Sequence, residues 1–203
     1  MVKKFILLLI LLVLFGISST LQAQPENIFT VNTLTDFADA NPGDGYCRTE
    51  YDTCTLRAAI EEARVNQVAN TIVLPAGKIV LTHNLPEIRY DLAIVGAGSD
   101  ATVVDFDGNN GFKFYSSYNT PATISFTGLT IENADGSNVD DLNVSGINLG
   151  IYISYMVEDV VLQDNSYGIY GSSTALTIRN SVIRNNYRTG IRANYTTTLI
   201  ENT

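Results

Sequence analysis

The chain has 203 residues, 45% of them hydrophobic, and 12 Lys and Arg against 21 Asp and Glu, for a net charge of −9. So acidic a surface repels phosphate backbones and anionic lipid, which makes nucleic acid and anionic membranes poor partners. One histidine, His83, leaves little material for a Ser–His–Asp triad or a His-rich zinc site.

In chain order, Lys3 and Lys4 precede the 13-residue apolar run FILLLILLVLFGI, and SSTLQA with small Ala23 follows. That order reads as a secretory signal peptide over residues 1–23, and the run is short for a membrane span. Cleavage after Ala23 leaves 180 of the 203 residues, enough for one domain with a real core, and no span within them. It removes two lysines and no acid, so the mature charge falls from −9 to −11. Export places Cys47 and Cys54 in an oxidising compartment where a disulfide persists. Closing so short a loop is worth about 2.5 kcal/mol of chain entropy. Two free thiols are the other reading.

DFADANPGDG gathers Asp36, Asp39, Asn41 and Asp44, oxygen ligands of the type calcium uses. The spacing fits no EF-hand, and a turn shaped by Asp and Asn side chains is the simpler account. No cofactor is expected, with calcium the one ion this ligand type would suit. CTLRAAIEEARVN then places Leu56, Ala59, Ile60 and Ala63 at helical spacing, with Glu61, Glu62 and Arg64 outside and Thr55 or Thr53 as cap.

Beyond the helix the period shortens to that of strands. TIVLPAGKIVLT reads as strand, Pro-Ala-Gly turn, strand, and LAIVGAGSDATVVDFDGNNGFKFY as three more short runs. Gly-Ile pairs then recur at Gly146, Gly168 and Gly190, spaced by 22 residues. At that offset Ile147, Ile169 and Ile191 form one column and Met156, Ile178 and Ile200 another. Val160 and Val161 fall over Val182 and Ile183, Asp164 over Asn186, and Asn180 over Asn202. ISFTGLTIENA is an earlier copy, with Phe126 over Ile178 and Ile131 over Ile183, followed by about eight extra residues in ADGSNVDDLNVS, which holds Asp135, Asp140 and Asp141.

A period near 22 built of short strands predicts an all-β fold, a right-handed parallel β-helix in which equivalent apolar residues stack inward, with an N-terminal α-helical cap over its open end. An antiparallel sandwich would have short strands but no fixed period. The expected organisation is a signal peptide at 1–23, a capping module at 24–82 with the disulfide and the helix, and β-helix coils at 83–203. The coil from Gly190 stops at its fourteenth residue, so the coils are expected to be incomplete, with further coils or another chain covering 190–203.

FTVNTLTDFADANPGDGYCRTEYDTCTLRAAIEEARVNQVANTIVLPAGKIVLT resembles the module named for its Cys-Ser-Leu-Arg-Glu-Ala (CSLREA) motif, here Cys54-Thr55-Leu56-Arg57-Ala58-Ala59. The Gly-Asp-Gly before Cys47 and the Leu-Pro-Ala-Gly turn belong to the same likeness. It implies a secreted or bacterial cell-surface protein of the pectate-lyase-like β-helix type, and no catalytic activity that transfers residue by residue.

Late in the chain Arg179, Arg184, Arg188 and Arg192 crowd with Tyr167, Tyr170, Tyr187 and Tyr195. Pectin-cleaving β-helices use arginine and acidic calcium ligands, but no acidic cluster is legible on coils adjacent to these arginines. Tyrosine faces also stack on sugars. The expected function is therefore a structural, adhesive or carbohydrate-facing surface module without catalysis, its partner an extracellular glycan or a cell-surface protein. The alternative is a lyase-like or glycoside hydrolase-like enzyme acting on acidic polysaccharide, which would need paired carboxylates on neighbouring coils.

Overall fold

The computed structural model describes residues 27–137 and 143–203. The signal segment 1–23 and the inserted Asp140 and Asp141 lie outside these. Among the described residues no helix is long and apolar enough to cross a membrane.

The fold is mostly β, with one helix, α1 (Leu56–Asn66), and fourteen short strands. β1 (Asn27–Thr30) precedes the helix. After it come β2 (Asn70–Val73), β3 (Gly77–Val80), β4 (Leu92–Val95), β5 (Thr102–Asp105), β6 (Phe112–Lys113) and β7 (Ala122–Glu132). β8 (Ser145–Leu149), β9 (Ile153–Gln163), β10 (Tyr167–Ser172), β11 (Ala175–Arg179), β12 (Val182–Arg184), β13 (Thr189–Asn194) and β14 (Thr197–Glu201) complete the chain order.

All pairing between these strands is parallel, in three runs. One run is β1-β2-β4-β7-β9-β11-β14. A second joins β3 and β5 to the later halves of β7 and β9, and then β12. The third is β6-β8-β10-β13. β7 and β9 serve two runs because each turns in its middle, at Gly128 (φ 67°) and Asp159 (φ 50°). The equivalent turns carry Asn180 and Asn202, also at positive φ. Asparagine, aspartate and glycine tolerate this left-handed conformation, so the sequence marks each turn with a residue that can make it.

Inward columns fill the interior. Phe29, Ile72, Ile94, Phe126, Val157, Ile178 and Ile200 lie in register across the first run, and all but Ile200, on the last strand, are buried. Ile79, Val104, Ile131, Leu162 and Ile183 line the second, and Phe112, Ile147, Ile169 and Ile191 the third. Each fully buried side chain of this size contributes about 1.5–3 kcal/mol. Phe106, Phe112, Phe126, Phe114 and Tyr155 stack edge to face through the middle, at 5.0–6.0 Å between centroids. Burial pushes the Tyr155 phenol pKa up, and its oxygen accepts a hydrogen bond from the Gly150 N–H.

Several expected columns are in place: Ile147–Ile169–Ile191, Phe126 with Ile178, and Ile131 with Ile183. The Nδ2 of Asn202 reaches Asn180 at 3.2 Å. The Met156 column is corrected. Ile178 pairs with Val157, Thr177 with Met156, and Met156 is exposed. Val182 and Ile183 likewise pair with Val161 and Leu162, one residue later than the constant offset places them. The turn between β8 and β9 is one residue longer than its successor, which shifts the register of that strand by one. The turn between β12 and β13 is longer by one in compensation. The polar ladder is accordingly Asn165 on Asn186, 3.2 Å apart, instead of Asp164 on Asn186. A Cβ at Gly168 would meet the Asn186 amide at 3.1 Å and the Gly190 carbonyl at 2.5 Å, which is why glycine heads the repeat.

Helix α1 is capped by the Thr55 hydroxyl, which accepts from the Ala58 N–H at 3.0 Å. Leu56, Ala59, Ile60 and Ala63 join the same core as β1 and β2. Glu62 is not on the outside as helical spacing suggests. It is fully buried, and its carboxylate accepts from the N–H groups of Gly43 and Gly45 at 2.5 and 2.6 Å. The preceding loop folds back over this face of the helix and supplies two charge-assisted hydrogen bonds for the desolvated carboxylate. Cys47 and Cys54 form the disulfide, so the chain has no free thiol.

Candidate functional site

The acidic loop comes first, because its residues are the ones that suit a cation. Asp36 forms a bidentate pair with Arg57, at 2.8 and 2.9 Å, and also accepts from the N–H and hydroxyl of Thr82. Asp39 accepts from the N–H groups of Asn41 and Arg48, and Asp44 from that of Tyr46. The carboxylates are thus spread over separate partners. Among the described residues no three of His, Cys, Asp and Glu gather as a metal-holding group. His83 is exposed, its Nδ1 2.9 Å from the Thr82 hydroxyl.

Paired carboxylates on neighbouring strands do occur, where sequence reasoning saw none. Asp105 and Glu132 are register partners on the outer side of β5 and β7. Lys78 lies between them, 2.6 Å from Asp105 and 3.0 Å from Glu132. Glu132 then accepts from Gln163, and Gln163 from Arg184, so the ladder reaches the late arginines. Burial alone would raise the Asp105 pKa. The Lys78 ammonium, the Asn133 amide and the Asp107 N–H outweigh it and hold it below the usual range. The Lys78 pKa is raised by the two carboxylates. A carboxyl held ionised between donors is poorly suited to give a proton to a leaving group.

The late arginines and tyrosines divide in two. Tyr167 and Tyr170 pack on each other at 4.9 Å, with Arg188 over one ring at 5.7 Å and Arg192 over the other at 5.6 Å. Arg188 draws the Tyr167 phenol pKa down. Arg179 pairs with Glu201 at 2.7 Å. These four side chains are engaged with one another or with neighbours. Tyr187 and Tyr195 are not covered in this way: Tyr195 is 99% exposed and Tyr187 87%.

Tyr195 belongs to a cleft at the corner between the third run of strands and the first. Its volume is about 570 Å³, and it is lined by Ile151, Tyr152, Ser172, Ser173, Thr174 and Tyr195. Ser154, Ala175 and Thr197 are register partners, so Tyr152, Ser173 and Tyr195 hold equivalent places in three successive turns. Two strand spacings put the tyrosine backbones about 10 Å apart. Ser173, buried between them, forms the floor and bonds Thr196. Among the described residues the hydroxyls of Ser172 and Thr174 have no partner. Tyr118 packs edge-on against Tyr152 at 5.8 Å and carries the aromatic wall to the preceding turn.

The backbone sets this cleft apart. Tyr152 (φ 59°) and Tyr195 (φ 52°) are both left-handed, and the other non-glycine residues with positive φ are Asp, Asn and the helix-ending Gln67. A left-handed L-residue costs about 1–2 kcal/mol, and tyrosine lacks the short polar side chain that offsets it. Strain of that kind at an exposed aromatic points toward use. Sequence reasoning named Tyr195 and missed Tyr152. At the constant 22-residue offset Tyr152 falls over Thr174 and Thr196, and only the one-residue shift brings it over Ser173 and Tyr195.

A second groove of about 510 Å³ lies at the opposite corner, where Asn133, Asp135, Asp164, Asn185 and Tyr187 meet beside the insertion. It is the more polar and acidic of the two. Compared with known proteins, the chain matches no family model, no curated protein and no solved structure.

Proposed function

We propose that this is a secreted or cell-surface right-handed parallel β-helix, closed at its N-terminal end by helix α1 and the disulfide-tied loop, whose role is to face carbohydrate without cleaving it. The three continuous runs of parallel pairing, the stacked turns and the helix packed at β1 and β2 support the architecture. The likeness of residues 29–82 to the CSLREA module supports secretion and surface location. The observation that carries the function is the cleft walled by Tyr152 and Tyr195 over serine and threonine hydroxyls. Aromatic faces supply contact area and hydroxyls supply orientation, which is the pairing a sugar ring requires. Calcium is not needed for this reading.

The test is a glycan array probed with the exported protein, together with a depolymerisation screen on the glycans it binds. Binding without release of reducing ends or unsaturated products is expected. Release of products would replace this reading with the enzymatic alternative, an activity on acidic polysaccharide.

A further inference from the structure

Resting on the carbohydrate-facing reading, we infer that the Tyr152–Tyr195 cleft selects uncharged glycan chains over acidic ones. No Lys, Arg, Asp or Glu lines it, and its polar groups are serine and threonine hydroxyls. The cations in this part of the chain are committed elsewhere. Arg192 and Arg188 cover Tyr170 and Tyr167, Arg179 pairs with Glu201, and Arg184 holds Gln163 at 2.8 and 3.0 Å. A uronate or sulfate entering the cleft would shed water without gaining a counter-charge, on a protein of net charge −9. A neutral pyranose sheds little and gains aromatic contact on its CH face and hydrogen bonds to Ser172 and Thr174. The two tyrosines repeat along the direction in which the strands stack, so an extended chain lying along this corner meets both. Tyr118 prolongs the same wall.

The experiment is affinity electrophoresis of the exported full-length protein in gels holding a soluble neutral β-glucan, a neutral xylan or polygalacturonate. The proteins are wild type, Tyr152→Asn, Tyr195→Asn and, as a control from the other groove, Tyr187→Ala. Asparagine tolerates the left-handed backbone, so the two cleft variants keep the turn, and equal melting temperatures verify it. Retardation by a neutral polymer is expected, weakened about tenfold in each cleft variant, which is one aromatic stack, and unchanged in Tyr187→Ala. It should persist at about 1 M salt, where charge interactions are screened within ~3 Å. Stronger retardation by polygalacturonate that Tyr195→Asn abolishes would overturn the selection for uncharged chains and leave the carbohydrate-facing reading standing. Retardation by none of the polymers, or retardation indifferent to both cleft substitutions, would overturn the assignment of carbohydrate to this cleft itself.

Discussion

Arg57 offers the sharpest measure of how the acidic loop is held. Its side chain is 10% exposed and that of Asp36 2%, and they meet in two parallel hydrogen bonds. The remaining guanidinium donors reach the carbonyls of His83 and Asn84 at 2.8 and 2.9 Å. One side chain therefore joins helix α1, the acidic loop and the turn after β3. Arg57→Met keeps much of the volume but strands the Asp36 carboxylate in the interior. Breaking a buried pair from one side costs about 3–5 kcal/mol. The carbonyls of His83 and Asn84 belong to exposed residues and regain water, so the cost should fall near the lower figure, about 3 kcal/mol. Asp36→Asn alone leaves the arginine unpaired and should cost about 2–3 kcal/mol. In the double variant neither charge is left alone, so the two losses should overlap by about 1.5–3 kcal/mol. Urea unfolding of the four proteins measures this coupling directly. With a slope of about 2–3 kcal/mol per molar, Arg57→Met moves the midpoint down by roughly 1 M or more. Single losses that add to within about 0.5 kcal/mol would refute the pair as the element that ties the loop down.

Two further outcomes follow from the register and from the lysine bridge. Ile178→Ala should cost about 2–5 kcal/mol and Met156→Ala no more than about 0.5, because one is buried in the column and the other faces solvent; equal losses by thermal unfolding would restore the constant offset. Asp105 titrates below its unfolded value, so its contribution is present above the unfolded carboxyl pKa, near pH 4, and lost as pH falls through the folded value. The gap in stability between wild type and Asp105→Asn, about 1 kcal/mol given the half-exposed lysine, should therefore be full at pH 7 and close below about pH 4; a gap that stays constant into acid would show that the charge contributes nothing.

The parallel strands were legible because repetition is visible without any knowledge of contacts. Ile147, Ile169 and Ile191 recur at one spacing, and Gly146, Gly168 and Gly190 recur beside them because a neighbouring backbone or asparagine occupies the space of a side chain. The helix was legible from Leu56, Ala59, Ile60 and Ala63, and the disulfide from export. Glu62 was not, since helical spacing tells which residues share a stripe but not whether a preceding loop will cover the opposite one. Asp36 looked like a cation ligand because a carboxylate's partner cannot be read from its neighbours in sequence, and here it stands 21 residues away at Arg57.

Both clefts lie at the turns that break the period. A wall of identical turns stacks side chain on side chain and leaves no opening, since each residue is covered by its equivalent one strand away. The turn before β9 has its extra residue among Gly150, Ile151 and Tyr152, and the turn before β13 has its own among Asn185, Asn186 and Tyr187. Ile151 and Tyr152 line one cleft, and Asn185 and Tyr187 the other. The two length changes cancel over the coil, so the Gly-Ile spacing stays constant while the strand between them slips by one. The regular part of the repeat thus specifies the scaffold, and the departures from it place aromatic side chains outward. A search for function along such a chain does best at the positions where the columns fail to align, and here those positions lead to Tyr152.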